Sequence, residues 1–282
     1  MAAKKRTCNE IVPSPRLRQV VVGSLQIAHR KHTIHSLSEA DVTYARRVLR
    51  EHTARTGESG SFTAFIIACM VQAVDENRAV HAYRNWRNQL VLFDEVDVST
   101  IVEVKRPETL VGQAAPREEC GTFPFAQVLR AMNKRTVPKI HQEIRSIQAR
   151  PASSQGLDQW GLMRWFLLLP ALVRQWFYRA LLRSPQRVKA YVGTASVTAV
   201  GMFGAGAGRG IPLPVYTLFV TVRGIAERPA MVEGRLEVRE HLSLTLIFDH
   251  DVVDGGPAAR FGRRFKELIE SGHGLEGADA RC

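Results

Sequence analysis

The sequence predicts a mixed α/β fold, with strands and helices interleaved through one domain. Two observations carry that prediction. Leu242, Leu244, Leu246 and Phe248 alternate with Ser243, Thr245 and Ile247, the period of a strand buried on at least one face, and Phe261, Phe265, Leu268 and Ile269 follow at helical spacing. Both periodicities recur along the chain without an internal repeat or a long linker, so a single domain is the simplest organisation.

Taken in order, residues 62–76 (FTAFIIACMVQAVDE) are apolar nearly all round and read as a buried helix. The run 90–104 is rich in Val and Ile and alternates, which predicts one strand or two. Val128, Leu129, Met132, Ile140, Ile144 and Ile147 stand at helical spacing over 124–147, with Pro138 as a break or kink. YVGTASVTAV at 191–200 reads as a strand, GMFGAGAGRG as a flexible link, and VYTLFVTVRGI at 215–225 as another strand. RPAMVEGRLEV predicts a hairpin turning at Glu233-Gly234. Pro257 suits the first turn of the last helix, and Gly272 suits its end.

Composition narrows the function classes. With 45% hydrophobic and 23% charged residues, the 282-residue chain is ordinary globular material that can bury a sizeable core. Its four cysteines, Cys8, Cys69, Cys120 and Cys282, lack paired or metal-ligand spacing, so free thiols, no disulfide and no metal are expected. A formal charge of +12 and a pI near 10.1 call for an anionic partner: nucleic acid, a membrane, an acidic carrier or a phosphorylated cofactor. Zinc-finger and aromatic-interleaved basic motifs are absent and the arginines are dispersed, which sets nucleic acid aside. The basic N-terminal residues lead into no apolar run, so a secretory signal is not expected and a cytoplasmic location is.

One stretch looks membrane-like. WGLMRWFLLLPALVRQWFYRALLR, residues 160–183, has its longest uncharged run between Arg164 and Arg174, short of the roughly 20 apolar residues a spanning helix needs. It reads as a core helix kinked at Pro170, an oligomer contact or an interfacial membrane helix, with 157–183 as the surface that would meet a membrane.

FDHDVVDGGPAARF, residues 248–261, places His250 at the strand-to-helix junction, a rigid support from which a side chain can face a cleft. Residues 223–261 around it closely resemble the C-terminal part of the catalytic domain of dihydrolipoamide acyltransferases, the core components of 2-oxo acid dehydrogenase complexes. PSPRLRQVV at 13–21, EADVTYARRVLR at 39–50, SFTAFIIACMVQAV at 61–74 and SVTAVGMFG at 196–204 fit the same family in the same order. The resemblance implies a chloramphenicol acetyltransferase-like two-layer sandwich, a mixed β-sheet with helices packed on one side. It spans residues 13–272, between flexible termini at 1–12 and 273–282, with an aromatic helical insertion at about 151–190.

The same resemblance implies a coenzyme A-dependent acyltransferase. His250 would be the general base, for which an imidazole titrating near 6.5 is suited. Thr198 stands where the family places its oxyanion-stabilising serine, with Ser196 as the nearby reserve. Asp254 would pair with Arg18, or with Arg16, to hold the His250 turn, and Gly255 would let the backbone turn beside it. A homotrimer follows, with His250 of one subunit facing Thr198 of the next, as does assembly into something larger and a lipoyl or acyl carrier protein as partner. The sequence also departs from the family. No lipoyl or subunit-binding domain is read ahead of the catalytic part, Asp251 replaces the family's arginine after the histidine, and GIPLPVYTLFVTVRGI replaces the usual segment before the last hairpin. A catalytically silent scaffold that keeps the trimer is the second reading.

Overall fold

A computed structural model describes residues 16–57, 60–105, 122–149, 166, 168–199 and 210–275. The termini expected to be flexible, Trp160 and Trp165, and the glycine-rich link at 200–209 lie outside the described residues, His273–Leu275 excepted. In chain order the elements are α1 (Arg16–Ala28), β1 (Thr33–Asp41), α2 (Thr43–Thr56), α3 (Phe62–Glu76), β2 (Tyr83–Arg84), β3 (Leu90–Val91), β4 (Val98–Lys105), β5 (Thr122–Leu129), α4 (Val137–Ala149), α5 (Ala171–Leu182), α6 (Pro185–Tyr191), β6 (Ala195–Ala199), β7 (Leu218–Val232), β8 (Arg235–Asp249) and α7 (Gly255–Glu270).

Six strands form one mixed sheet in the order β1-β8-β7-β6-β4-β5, parallel at β7-β6 and β6-β4 and antiparallel elsewhere; β2 and β3 form a separate ribbon. Alternation decides which face is greasy. Val98, Val197, Val220, Leu242, Leu244, Leu246 and Phe248 point into one core with Ala45, Phe65, Ile66, Ile140, Phe261, Phe265 and Leu268 of α2, α3, α4 and α7. This is the two-layer arrangement expected, and the ring of Phe248 meets Phe261 edge-on at 5.7 Å across the layers. The other face of the same strands is buried but polar: Ser99, Ser196, Thr198, Thr221, Ser243 and Thr245.

Local sequence accounts for most boundaries. Ser61 caps α3 by accepting from the Ala64 amide at 3.2 Å, and the all-round apolar helix is buried as expected. Glu233 and Gly234, at φ 49° and 79°, make the left-handed pair of a two-residue hairpin turn, so β7 and β8 run as one long ribbon through the predicted hairpin. The expectation for 124–147 is corrected: Val128 and Leu129 belong to β5, paired antiparallel with β4, Met132–Lys134 make one short 3-10 turn, and the α-helix begins only at Val137. Pairing in the sheet overrides the helical spacing, and Pro138 sits in the first turn of α4, where its missing N–H costs nothing. Pro170 likewise does not kink a helix but immediately precedes α5.

Outside the two layers, α5 packs against α1. The ring of Tyr178 lies so close to Gly23 that a Cβ there would stand 2.8 Å from Cε2, and Gln175 donates to Gln26 at 2.8 Å. Phe166 packs on Phe177 and Tyr178 at 5.3 and 5.4 Å. Among the described residues no helix is long and apolar enough to cross a membrane.

Candidate active site

His250 ends β8 on a turn that is tied down from several sides. Its amide donates to the His32 carbonyl at 2.7 Å, the Asp249 amide to the Thr217 carbonyl at 2.9 Å, and the Val252 and Val253 amides to the Asp249 carbonyl at 3.0 and 2.9 Å. The Asp249 side chain is almost fully buried. It accepts from Lys31 Nζ at 2.6 Å and from the Asp251 amide at 3.1 Å, so one carboxylate ties the turn to the segment before β1 and closes the turn on itself. The charge change at Asp251 also has a local partner, since His32 Nδ1 lies 3.0 Å from Asp251 Oδ1.

The imidazole itself is half exposed, with Nδ1 3.7 Å from Asp254 Oδ1. That contact points Nδ1 at a carboxylate and leaves Nε2 for another partner. His81, by contrast, is fully buried against Phe93, and burial pushes it down to about 4, which keeps it neutral and out of reach of substrate.

Asp254 precedes α7 and its side chain is 87% exposed; its ionic contact is His250, and no ion pair joins it to the exposed Arg18 of α1. The Asp254–Arg18 brace is therefore not made within the chain, and the Lys31–Asp249 pair takes its place. Arg16 has no described side chain. Gly255 opens α7 with no atom within 4 Å of where a Cβ would stand, so neither crowding nor a left-handed backbone demands glycine there. The tight turn lies at residues 249–253 instead.

Thr198 and Ser196 both lie on the polar face of β6, and hydrogen bonding separates them. Ser196 donates to the Ser99 carbonyl at 3.0 Å, beside Tyr216, whose hydroxyl donates to Ser99 Oγ at 2.9 Å. Thr198 makes no side-chain hydrogen bond with a described residue and is 8% exposed. The sheet register then places it relative to His250. Thr198 aligns with Thr221 and Thr221 with Thr245, two strands across, and His250 lies five residues beyond Thr245. At about 4.8 Å per strand and 3.4 Å per residue, the two side chains are roughly 19 Å apart in one chain. Thr198 lies within the sheet, whereas His250 lies just past the end of β8.

The structure places His250 beside Asp254 and sets Thr198 and Ser196 on one strand, and it adds the buried Lys31–Asp249 pair, which sequence reasoning missed. The one available signal was Asp249 itself, an acid at the end of a strand that is otherwise uncharged from Leu242 onward.

Residues 184–275 match the family model for the catalytic domain of the 2-oxoacid dehydrogenases acyltransferase family. Over 78 residues the chain is 33% identical to the dihydrolipoyllysine-residue succinyltransferase component of the mitochondrial 2-oxoglutarate dehydrogenase complex of Homo sapiens, covering 28% of this chain and 17% of that protein. It is 30% identical over 83 residues to the acetyltransferase component of the Zymomonas mobilis pyruvate dehydrogenase complex, covering 29% of this chain and 19% of that one. The chain thus spans less than a fifth of the length of these curated relatives. Solved structures extend the likeness of fold to nearly the whole chain. A probable dihydrolipoamide acetyltransferase of Listeria monocytogenes superimposes with a TM-score of 0.65 at 18% identity, over 94% of this chain and 95% of that one. The dihydrolipoamide acetyltransferase of Azotobacter vinelandii gives 0.66 at 16%, over 96% of each; in that enzyme a serine, a histidine and an asparagine four residues after the histidine have been investigated for roles in the catalytic mechanism.

Proposed function

From the match of residues 184–275 to the catalytic-domain model of 2-oxoacid dehydrogenase acyltransferases, we propose a coenzyme A-dependent acyltransferase whose site is shared between subunits of a homotrimer. The observation that carries the proposal is His250, half exposed on a turn anchored by the buried Asp249–Lys31 pair, within the stretch that matches the family. Asp254 stands four residues after the histidine, the spacing at which the Azotobacter enzyme has an asparagine.

In this reading Asp254 favours the proton on Nδ1 and leaves Nε2 to act as base. His250 takes the proton of the attacking thiol, the thiolate adds to the thioester carbonyl, and the oxyanion accepts a hydrogen bond from a threonine hydroxyl. Collapse expels the other thiol, which recovers the proton from His250. Thr198 is preferred over Ser196 for the hydroxyl, because Ser196 is committed to Ser99. The separation of roughly 19 Å within one chain is why the partner hydroxyl is assigned to the neighbouring subunit. The exposed apolar side chains of α1 and α5 supply a surface for assembly, into the trimer or beyond it, and a lipoyl or acyl carrier protein is the proposed acceptor.

His250→Ala tests the base directly. It should lower acyl transfer from coenzyme A thioesters by about two to four orders of magnitude, with the thermal midpoint nearly unchanged because the ring is half exposed. Parent-like transfer by the variant would remove His250 from the chemistry, and a parent inert across a broad acyl-coenzyme A panel would leave the scaffold reading.

A further inference from the structure

We infer that the cavity where α2, α3, α4 and the end of α7 meet binds a small monocarboxylic acid with an apolar body, at a place separate from the His250 turn. The inference does not rest on the acyltransferase reading. Gly255 opens α7 five residues after His250, and Gly274 and Leu275 of the cavity wall follow the end of that helix. The 16 residues of α7 therefore set the two places roughly 24 Å apart.

Shape sets the size of the ligand. The cavity holds about 230 Å³, below the range of drug-sized pockets. At about 30 Å³ per water that is the space of seven or eight waters, or a ligand on the order of ten non-hydrogen atoms. Two glycines fix its frame. A Cβ at Gly60 would stand 2.7 Å from Leu49 Cδ2, and one at Gly274, where φ is 79°, would stand 3.3 Å from Val137 Cγ2. The loop before α3 thus sits directly against α2, and the end of the α7 segment against α4.

Chemistry divides the lining in two. Val48, Leu49, Val137 and Leu275 make an apolar floor continuous with the main core, whereas His52, Arg55 and His141 bring two imidazoles and a guanidinium to the same space. Ser61 adds a hydroxyl: its oxygen accepts from the Ala64 amide at 3.2 Å, which leaves its own proton to donate. Two helices also begin here, α3 just after Ser61 and α4 at Val137, so the positive ends of both dipoles lie at the cavity. Glu51 is the one acid among the described lining residues, and it has Arg47 at 4.0 Å on its own helix.

Each half excludes a class of ligand. An inorganic anion would satisfy Arg55 and the imidazoles but gain nothing from the floor, and a hydrocarbon would do the reverse. A metal ion is not served either, since the described residues contain no group of three or more His, Cys, Asp or Glu side chains able to hold one. A carboxylate on a short apolar body uses both halves: the guanidinium can grip its two oxygens as a fork, each imidazole can present an N–H, and the body covers Val48 and Leu275.

The test titrates benzoate, hexanoate and cyclohexanecarboxylate into the full chain and follows the heat. At least one should bind saturably at one site per chain, with its neutral amide and inorganic phosphate each weaker by about tenfold or more, because each lacks one half of the recognition. Arg55→Gln, at an exposed position, should weaken binding by about fivefold or more without disturbing the fold. Val48→Phe fills the floor without changing charge and should abolish binding, while His250→Ala should bind like the parent. Saturable binding by none of the three acids up to about 10 mM, parent-like binding in Arg55→Gln, or displacement by coenzyme A would each overturn the assignment. Because binding is read without turnover, a parent that transfers no acyl group but binds the acid would count against the acyltransferase reading and leave this site standing.

Discussion

Around residues 249–253 every backbone amide donates a hydrogen bond, whereas along the outer side of α5 large apolar side chains stand in solvent. At the turn, the buried Asp249 carboxylate binds Lys31 and its own loop, and the His250 amide is tied to His32. Leu172 and Trp176 on the helix and Leu168 just ahead of it are 80%, 69% and 69% exposed, with Val21 and Val22 of α1 at 42% and 45%. The first region spends its buried charges to hold one side chain in place, and its function is legible in a single chain. The second has buried only one side, the side with Tyr178 and Phe166, and makes physical sense only with a partner.

Breaking the rigid region should have the larger effect. The Lys31–Asp249 pair is 15% and 7% exposed, so removing either partner leaves an unpaired buried charge, which costs about 3–5 kcal/mol. Asp249→Asn and Lys31→Met should each lower stability on that scale in denaturant titrations, and the double variant should lose clearly less than the sum. Simple additivity would show that the two groups do not support each other. Acyl transfer should fall along with stability, because the turn that carries His250 loses its anchor.

How much of this could be read in advance follows the range of the interactions involved. The β8–α7 junction was legible because alternation, Pro257 and Gly272 are local signals that tertiary structure did not overrule. The β5 strand was not legible, since Val128, Leu129 and Met132 share a helical spacing by coincidence and their partner strand lies some 25 residues earlier. Asp249 and Lys31 are 218 residues apart, and no pattern in one sequence links them. The Asp254–Arg18 pairing that the resemblance implied is not formed within the chain, where Asp254 lies against His250 instead. The hydroxyls of β6 were found as a pair, and only the hydrogen bond from Ser196 to Ser99 distinguishes them.

The open region should respond differently. Leu172→Ser with Trp176→Ser removes exposed apolar surface, so the stability of the chain itself should change by no more than about 0.5 kcal/mol per site. The assembly should weaken, seen as a slower-sedimenting species at equal concentration. An unchanged assembly, together with binding of the parent but not the variant to anionic vesicles, would instead assign the α5 face to a membrane surface, where its flanking arginines would meet lipid headgroups.

The central claim is that His250 of one subunit works with Thr198 of the next. Mixing and co-refolding two inactive proteins, His250→Ala and Thr198→Ala, tests it most directly. In a trimer built from equal amounts, about one site in four combines an intact histidine with an intact neighbouring threonine, so acyl transfer should return to roughly a quarter of the parent level. Recovery requires that the two residues come from different chains. A mixed trimer, verified by mass, that stays as inactive as its separate components would contradict a shared site.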